Sequence, residues 1–161
     1  MDNLVLHKRI REQGGAYGAG SSNHSNVGSF YFYAYRDPHL NATLAAFKEG
    51  VESIGSGMFS EQELEEAKLG LLKGMDAPVS PSARGNVAYS WMREGKTMAV
   101  RQVYREHLLK ATKEEVVQVL KEHVLPQLSS ATLSVFSDKN LLEKEGGTLK
   151  QEGRSFTVAS V

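Results

Sequence analysis

Four of the seven residues from 14 to 20 are glycine (Gly14, Gly15, Gly18 and Gly20), and this cluster limits what the chain around it can become. Glycine loses so much backbone entropy on ordering that a regular helix does not keep several in its interior. A helix over residues 3–12 must therefore stop at Gly14, where the chain turns. Beyond the turn, Gly-Ser-Phe-Tyr-Phe-Tyr-Ala-Tyr at 28–35 puts Phe30, Phe32 and Ala34 on one face and Tyr31, Tyr33 and Tyr35 on the other. Aromatic residues at period two predict a half-buried strand.

Helical signals fill the middle of the chain. Asp37 before Pro38 predicts an N-cap with proline in the first turn, and Leu40, Leu44, Phe47 and Val51 follow at helical spacing towards Gly55 or Gly57. Ser60 and Glu63 form a capping box ahead of a stripe of Leu64, Ala67, Leu71, Leu72 and Met75. Ser80 before Pro81 starts a helix through Arg93, and another spans 97–110. Thr112 and Glu115 then cap a helix over 113–125 that buries Val116, Leu120 and Val124 and stops at Pro126.

A second strand is predicted where Ala131, Leu133 and Val135 alternate with Thr132, Ser134 and Phe136, and a weaker alternation runs from Phe156 to Val161. The fold class is therefore α+β, with helices packed on one face of a small antiparallel or mixed sheet. Three strands at most make a thin sheet, which needs further strands for stability. The expectation is a single domain over 1–161, cut on its N-terminal side, with 139–161 an uncertain tail.

Charge narrows the partners. Lys and Arg total 19, as do Asp and Glu, so the formal net charge is zero. Nothing forces a basic face for nucleic acid or an anionic membrane, and neither is expected as a partner. Without cysteine there is no disulfide, thiolate metal site or thiol nucleophile, which fits a reducing compartment. No apolar run approaches the roughly 20 residues that span a bilayer, and the opening residues lack a signal-peptide stretch. Cytoplasm is the expected location.

Five histidines (His7, His24, His39, His107 and His123) are the metal candidates. The pairs Glu106-His107 and Glu122-His123 look like halves of H-x-x-E-H, but the upstream positions are Val103 and Val119, which cannot ligate metal. Solvated helix-face histidines are the expectation, and no metal ligand is assigned. The glycine cluster leads into a strand rather than out of one and carries no Gly-Lys-Ser/Thr, which argues against a phosphate cradle. No serine lies in a G-x-S-x-G elbow.

Arg11 and Tyr17 flank the glycine turn. A guanidinium offers a fixed fork of donors and a phenol one rotatable donor, so both suit a peptide carbonyl or an oxyanion, while Gly14 and Gly15 permit close backbone approach. The residues alone leave a second reading open, a surface arginine with a core tyrosine.

The string Ile10-Arg11-Glu12-Gln13-Gly14-Gly15-Ala16-Tyr17-Gly18, the aromatic strand and Tyr35-Arg36-Asp37-Pro38 resemble the C-terminal domain of presequence proteases, which belong to the insulinase (pitrilysin) family of zinc metallopeptidases. Glu65-Glu66-Ala67-Lys68 and Asp76-Ala77-Pro78-Val79-Ser80-Pro81 extend the likeness, which covers residues 4 to about 138. The resemblance implies the second half of a processing-peptidase-like domain. It also implies that Arg11 and Tyr17 contact substrate near the scissile carbonyl, with Tyr31, Tyr33 and Tyr35 lining a closed chamber that admits unstructured peptides. Zinc and the general base would belong to N-terminal catalytic domains of the same polypeptide, so this chain alone is expected to be inactive and metal-free. By itself it is expected to self-associate through uncovered sheet edges or apolar surface. The resemblance also admits a silent homologue that binds peptides or supports an assembly. It leaves open a bacterial cytoplasm or, in a eukaryote, an organelle matrix.

Overall fold

The computed structural model describes residues 1–25, 27–151, 157 and 159. Helix α1 (Asp2–Gln13) opens the chain, wound with i→i+5 bonds as a π-helix, and it stops where the glycines require. A Cβ on Gly14 would stand 2.6 Å from the Ile10 carbonyl oxygen, and Gly15 turns the chain at φ +76°. Strands β1 (Gly18–His24) and β2 (Ser29–Tyr35) then form an antiparallel hairpin, with Gly18 opposite Tyr35 and Gly20 opposite Tyr33.

β2 is the strand the aromatic alternation predicts. β1 corrects the reading of residues 14–20 as turn throughout, because the glycines in it carry a neighbour's bulk. A Cβ on Gly18 would meet the Tyr35 ring at 2.5 Å, and one on Gly20 would meet Tyr33 Oη at 2.9 Å. Glycine in a strand marks this sort of close approach.

Helix α2 (Asn41–Gly55) buries Thr43, Ala46, Val51 and Ile54. It starts later than Asp37-Pro38 predicts, because the Asp37 carboxylate is engaged locally, accepting from His39 N–H at 2.9 Å and Thr43 Oγ1 at 2.6 Å. The helix is capped from elsewhere: Leu40 N–H and Asn41 N–H both donate to Glu145 Oε2 at 2.8 Å. Glu145 belongs to helix α7 (Lys139–Gln151), formed by residues the sequence left as an unassigned tail.

Between α2 and α7 lie α3 (Glu61–Met75), α4 (Arg84–Arg93, preceded by a 3₁₀ turn at Pro81–Ala83), α5 (Met98–Lys110) and α6 (Lys113–Val119). A π turn at Leu120–Val124 and a 3₁₀ turn at Leu125–Gln127 continue α6. Both predicted capping boxes form, Ser60 with Glu63 and Thr112 with Glu115. The predicted strand at Ala131–Phe136 does not: residues 131–138 are irregular and pair with no strand among the described residues. Alternation specifies a strand only where a partner edge is available to take its hydrogen bonds. The alternation at 156–161 falls, apart from Thr157 and Ala159, outside the described residues.

The core sits between α1, α2 and one face of the hairpin. Leu6, Ile10, Ala16, Ala19 and Ala46 are buried together, with Phe32, Ala34 and Phe47 packed against them. Phe32 and Phe47 stack at 4.9 Å between centroids. Arg9 spans α1 and α2 to Glu49 at 2.7 Å, and Asp2 ties α1 to β1 by accepting from Ser21 N–H and, at 2.6 Å, from Ser21 Oγ. A second cluster of Ile54, Phe59 and Leu64 receives Val116, Val117 and Leu120. The fold is α+β, with helices on one face of a two-stranded antiparallel sheet.

Candidate functional site

The hairpin's other face is open. Tyr31, Tyr33 and Tyr35 project from it, each more than a third exposed, as period-two alternation requires once Phe32 and Ala34 face the core. Their rings form two linked pairs with neighbours: Tyr31 with Tyr33 at 6.4 Å and Tyr35 with Tyr17 at 5.5 Å, while His24 meets Tyr31 edge-on at 5.4 Å. An aromatic strip thus runs the length of the hairpin, rings over a backbone that glycine keeps flat at residues 18 and 20.

Tyr17 stands where this strip meets the glycine turn. The residue is 61% exposed, so it is not the core tyrosine the sequence left open as an alternative. Its N–H donates to Arg36 O at 3.3 Å, adding one pair beyond the Gly18–Tyr35 end of the ladder. Arg11 is exposed in the last turn of α1, its Nη1 3.4 Å from His7 Nε2. The turn between them is braced by Gly15 N–H donating to Arg11 O at 3.0 Å and Ala16 N–H donating to Ile10 O at 3.1 Å. No hydrogen bond or ring contact joins Arg11 to Tyr17. Gly14 and Gly15, read as points of close substrate approach, have a conformational reason to be glycine in the chain itself.

Two residues stand out that the sequence did not mark for a role. Arg36 adopts φ +50° and carries its guanidinium carbon 5.2 Å from the centroid of the Tyr17 ring. Glycine or asparagine is the usual sign of that backbone, and here neither is present. Lys68 is 6% exposed and donates to Glu65 Oε1 at 2.7 Å and to Leu109 O at 3.3 Å, joining α3 to the end of α5. It lies on the buried side of a helix whose stripe residues Ala67 and Leu71 are exposed. Among the described residues no three His, Cys, Asp or Glu side chains gather as a metal ion would require. The described residues therefore do not fit a zinc centre.

An exposed phenol and an exposed guanidinium thus lie around a glycine bend, beside an aromatic sheet face. The family model described as the PreP C-terminal domain matches residues 1–126, and the chain belongs to that family. Among its relatives, the mitochondrial presequence protease of Danio rerio is 42% identical over 119 residues, covering 74% of this chain and 11% of that protein. The protein of the same name from Emericella nidulans is 36% identical over 91% of this chain and 14% of its own length. That of Mus musculus is 35% identical over 87% of this chain and 13% of its own length. The chain thus spans about an eighth of the length of these relatives.

Proposed function

We propose that this chain is the non-zinc-binding C-terminal domain of a presequence-protease-like zinc metalloendopeptidase of the insulinase family, and that it supplies Arg11 and Tyr17 to the substrate backbone near the scissile bond. The carrying observation is the placement of Tyr17: an exposed phenol at the mouth of the glycine turn, its backbone N–H tied to Arg36 O beside the hairpin. A phenolic O–H and a guanidinium can both donate to a carbonyl oxygen as it gains charge, which lowers the barrier if the donors are already in place. Tyr31 and Tyr33, with Tyr35, offer π-faces and hydroxyls along an extended peptide.

On this reading zinc and the general base lie in N-terminal catalytic domains of the same polypeptide, and the substrate is an unstructured peptide held in a closed chamber. The relatives' names favour an organelle matrix if the source is a eukaryote, and the cytoplasm if it is a bacterium.

The test is kinetic, in the full-length polypeptide with a quenched fluorescent peptide. Tyr17→Phe and Arg11→Ala should each lower kcat/KM by an amount typical of a lost oxyanion donor, about 2.7–4 kcal/mol, with little change in folding stability. Unchanged kinetics in both variants would remove the proposed contacts. Cleavage that continues in the presence of chelator would remove the metallopeptidase assignment.

A further inference from the structure

Among the described residues Arg36 alone combines a side chain with positive φ, at +50°. That region is costly for any residue with a Cβ and is kept only where the surroundings impose it. Each consequence of the bend falls on Tyr17. The Arg36 carbonyl accepts the Tyr17 N–H at 3.3 Å, and the guanidinium lies 5.2 Å from the ring centroid, within cation–π range. The residue before it, Tyr35, closes on the same ring at 5.5 Å and 55°. No carboxylate pairs with the Arg36 guanidinium among the described residues. The guanidinium is exposed and solvated, so the cost lies in the left-handed backbone, which is more than ending a strand requires and which sets the cation over one tyrosine.

We propose that Arg36 is a positioning residue: its left-handed backbone and its guanidinium together hold the Tyr17 ring in the orientation that points the phenolic hydroxyl at a bound peptide. The inference rests on the reading that Tyr17 contacts substrate, and it adds a residue to that site. The peptide backbone is the ligand, and Arg36 acts on it only through Tyr17. Because the ring is exposed, it would otherwise sample several rotamers, and a misplaced donor loses most of its effect on a reacting carbonyl.

The substitution that separates positioning from folding is Arg36→Gly, since glycine accepts this backbone without strain and removes only the side chain. In the full-length peptidase, Arg36→Gly should lower kcat roughly two- to fivefold, the range an exposed cation–π contact spans, with KM changed by less than about twofold. Arg36→Lys should recover most of the loss, because an ammonium can occupy the same ring face. In a Tyr17→Phe background, with no hydroxyl left to aim, Arg36→Gly should cost less than about twofold more. An equal loss with and without the hydroxyl would overturn the proposal, as would a neutral Arg36→Gly in an enzyme that Tyr17→Phe impairs. If Tyr17→Phe is itself neutral, the reading of the site fails and this inference falls with it.

Discussion

Residues 1–55 and residues 61–127 are held together differently. In the first stretch α1, the hairpin and α2 share one interior, where Leu6 and Val51 are fully enclosed and Ile10 and Ala16 nearly so. In the second, α4, α5 and α6 bury no residue fully, and Leu71, Tyr89, Met92, Met98, Val103, Tyr104 and Leu109 are exposed. Apart from Leu64, which joins Ile54 and Phe59 and receives Val116, Val117 and Leu120, order in that region comes from side-chain ties and caps: Arg101 over Trp91 at 3.9 Å, Arg105 with Asp76, Lys68 to the end of α5, and the two capping boxes. The comparison teaches that the candidate site rests on the better packed part. Tyr17 and the tyrosine strip project from a hairpin whose other face is the core, so the backbone carrying them has little freedom to drift.

The contrast is broken most directly by truncating one leucine in each region. Leu6→Ala should cost about 2–5 kcal/mol in urea unfolding, as buried leucine deletions do, whereas Leu71→Ala should fall within about 0.5 kcal/mol of the parent. Equal costs would mean that Leu71 is packed rather than exposed. Smaller, and specific to the packed region, is the backbone demand of the turn. Gly15→Ala places a Cβ at φ +76° and should cost about 1–2 kcal/mol, read from the shift of the denaturation midpoint. A neutral result would show that the turn relaxes freely and does not fix Tyr17.

In the helical region the corresponding demand is on caps. Thr112→Ala removes the oxygen that accepts Glu115 N–H and should cost about 1 kcal/mol, with amide exchange rising first at the start of α6. Uniform exchange across the molecule would argue that the two regions unfold as one.

The smallest expected effect is acid-dependent and lies on the packed side. The Glu145 carboxyl is held below the ordinary carboxylate range, chiefly by the Asn41 N–H, with burial opposing and the Leu40 N–H adding to it. A folded-state pKa below the unfolded one means that this stabilisation is fully present above the usual carboxylate pKa, and is lost as pH falls through the lowered value. Amide exchange at Leu40 and Asn41 should therefore quicken on acidification, and Glu145→Gln should abolish that pH dependence. A pH response that survives Glu145→Gln would assign it to another group.

Much of this was legible because it is local. The stop at Gly14, β2 with its two faces, the ends of α2 and α3, and both capping boxes each depend on residues within a few positions of one another. The late start of α2 was not legible, because its cap is Glu145, brought from α7. The strand expected at Ala131–Phe136 failed for the same reason in reverse: its alternation is present, but among the described residues no strand edge lies beside it. For the site, residue chemistry marked Arg11 and Tyr17 but left a structural reading open, and the resemblance to the family, not the spacing, implied their role and that of the tyrosine face; Arg36 over Tyr17 was not legible by either route.

Where the backbone bends and which residues carry hydrogen-bond donors follow from the amino-acid order alone, since glycine entropy, strand period and side-chain chemistry act within a few residues. That β1 is a strand, that Glu145 caps α2 and that Arg36 at positive φ lies against Tyr17 follow only from the folded chain. Those outcomes depend on which distant groups meet, and that is settled by packing, in which apolar burial and hydrogen-bond satisfaction are resolved for the whole chain at once.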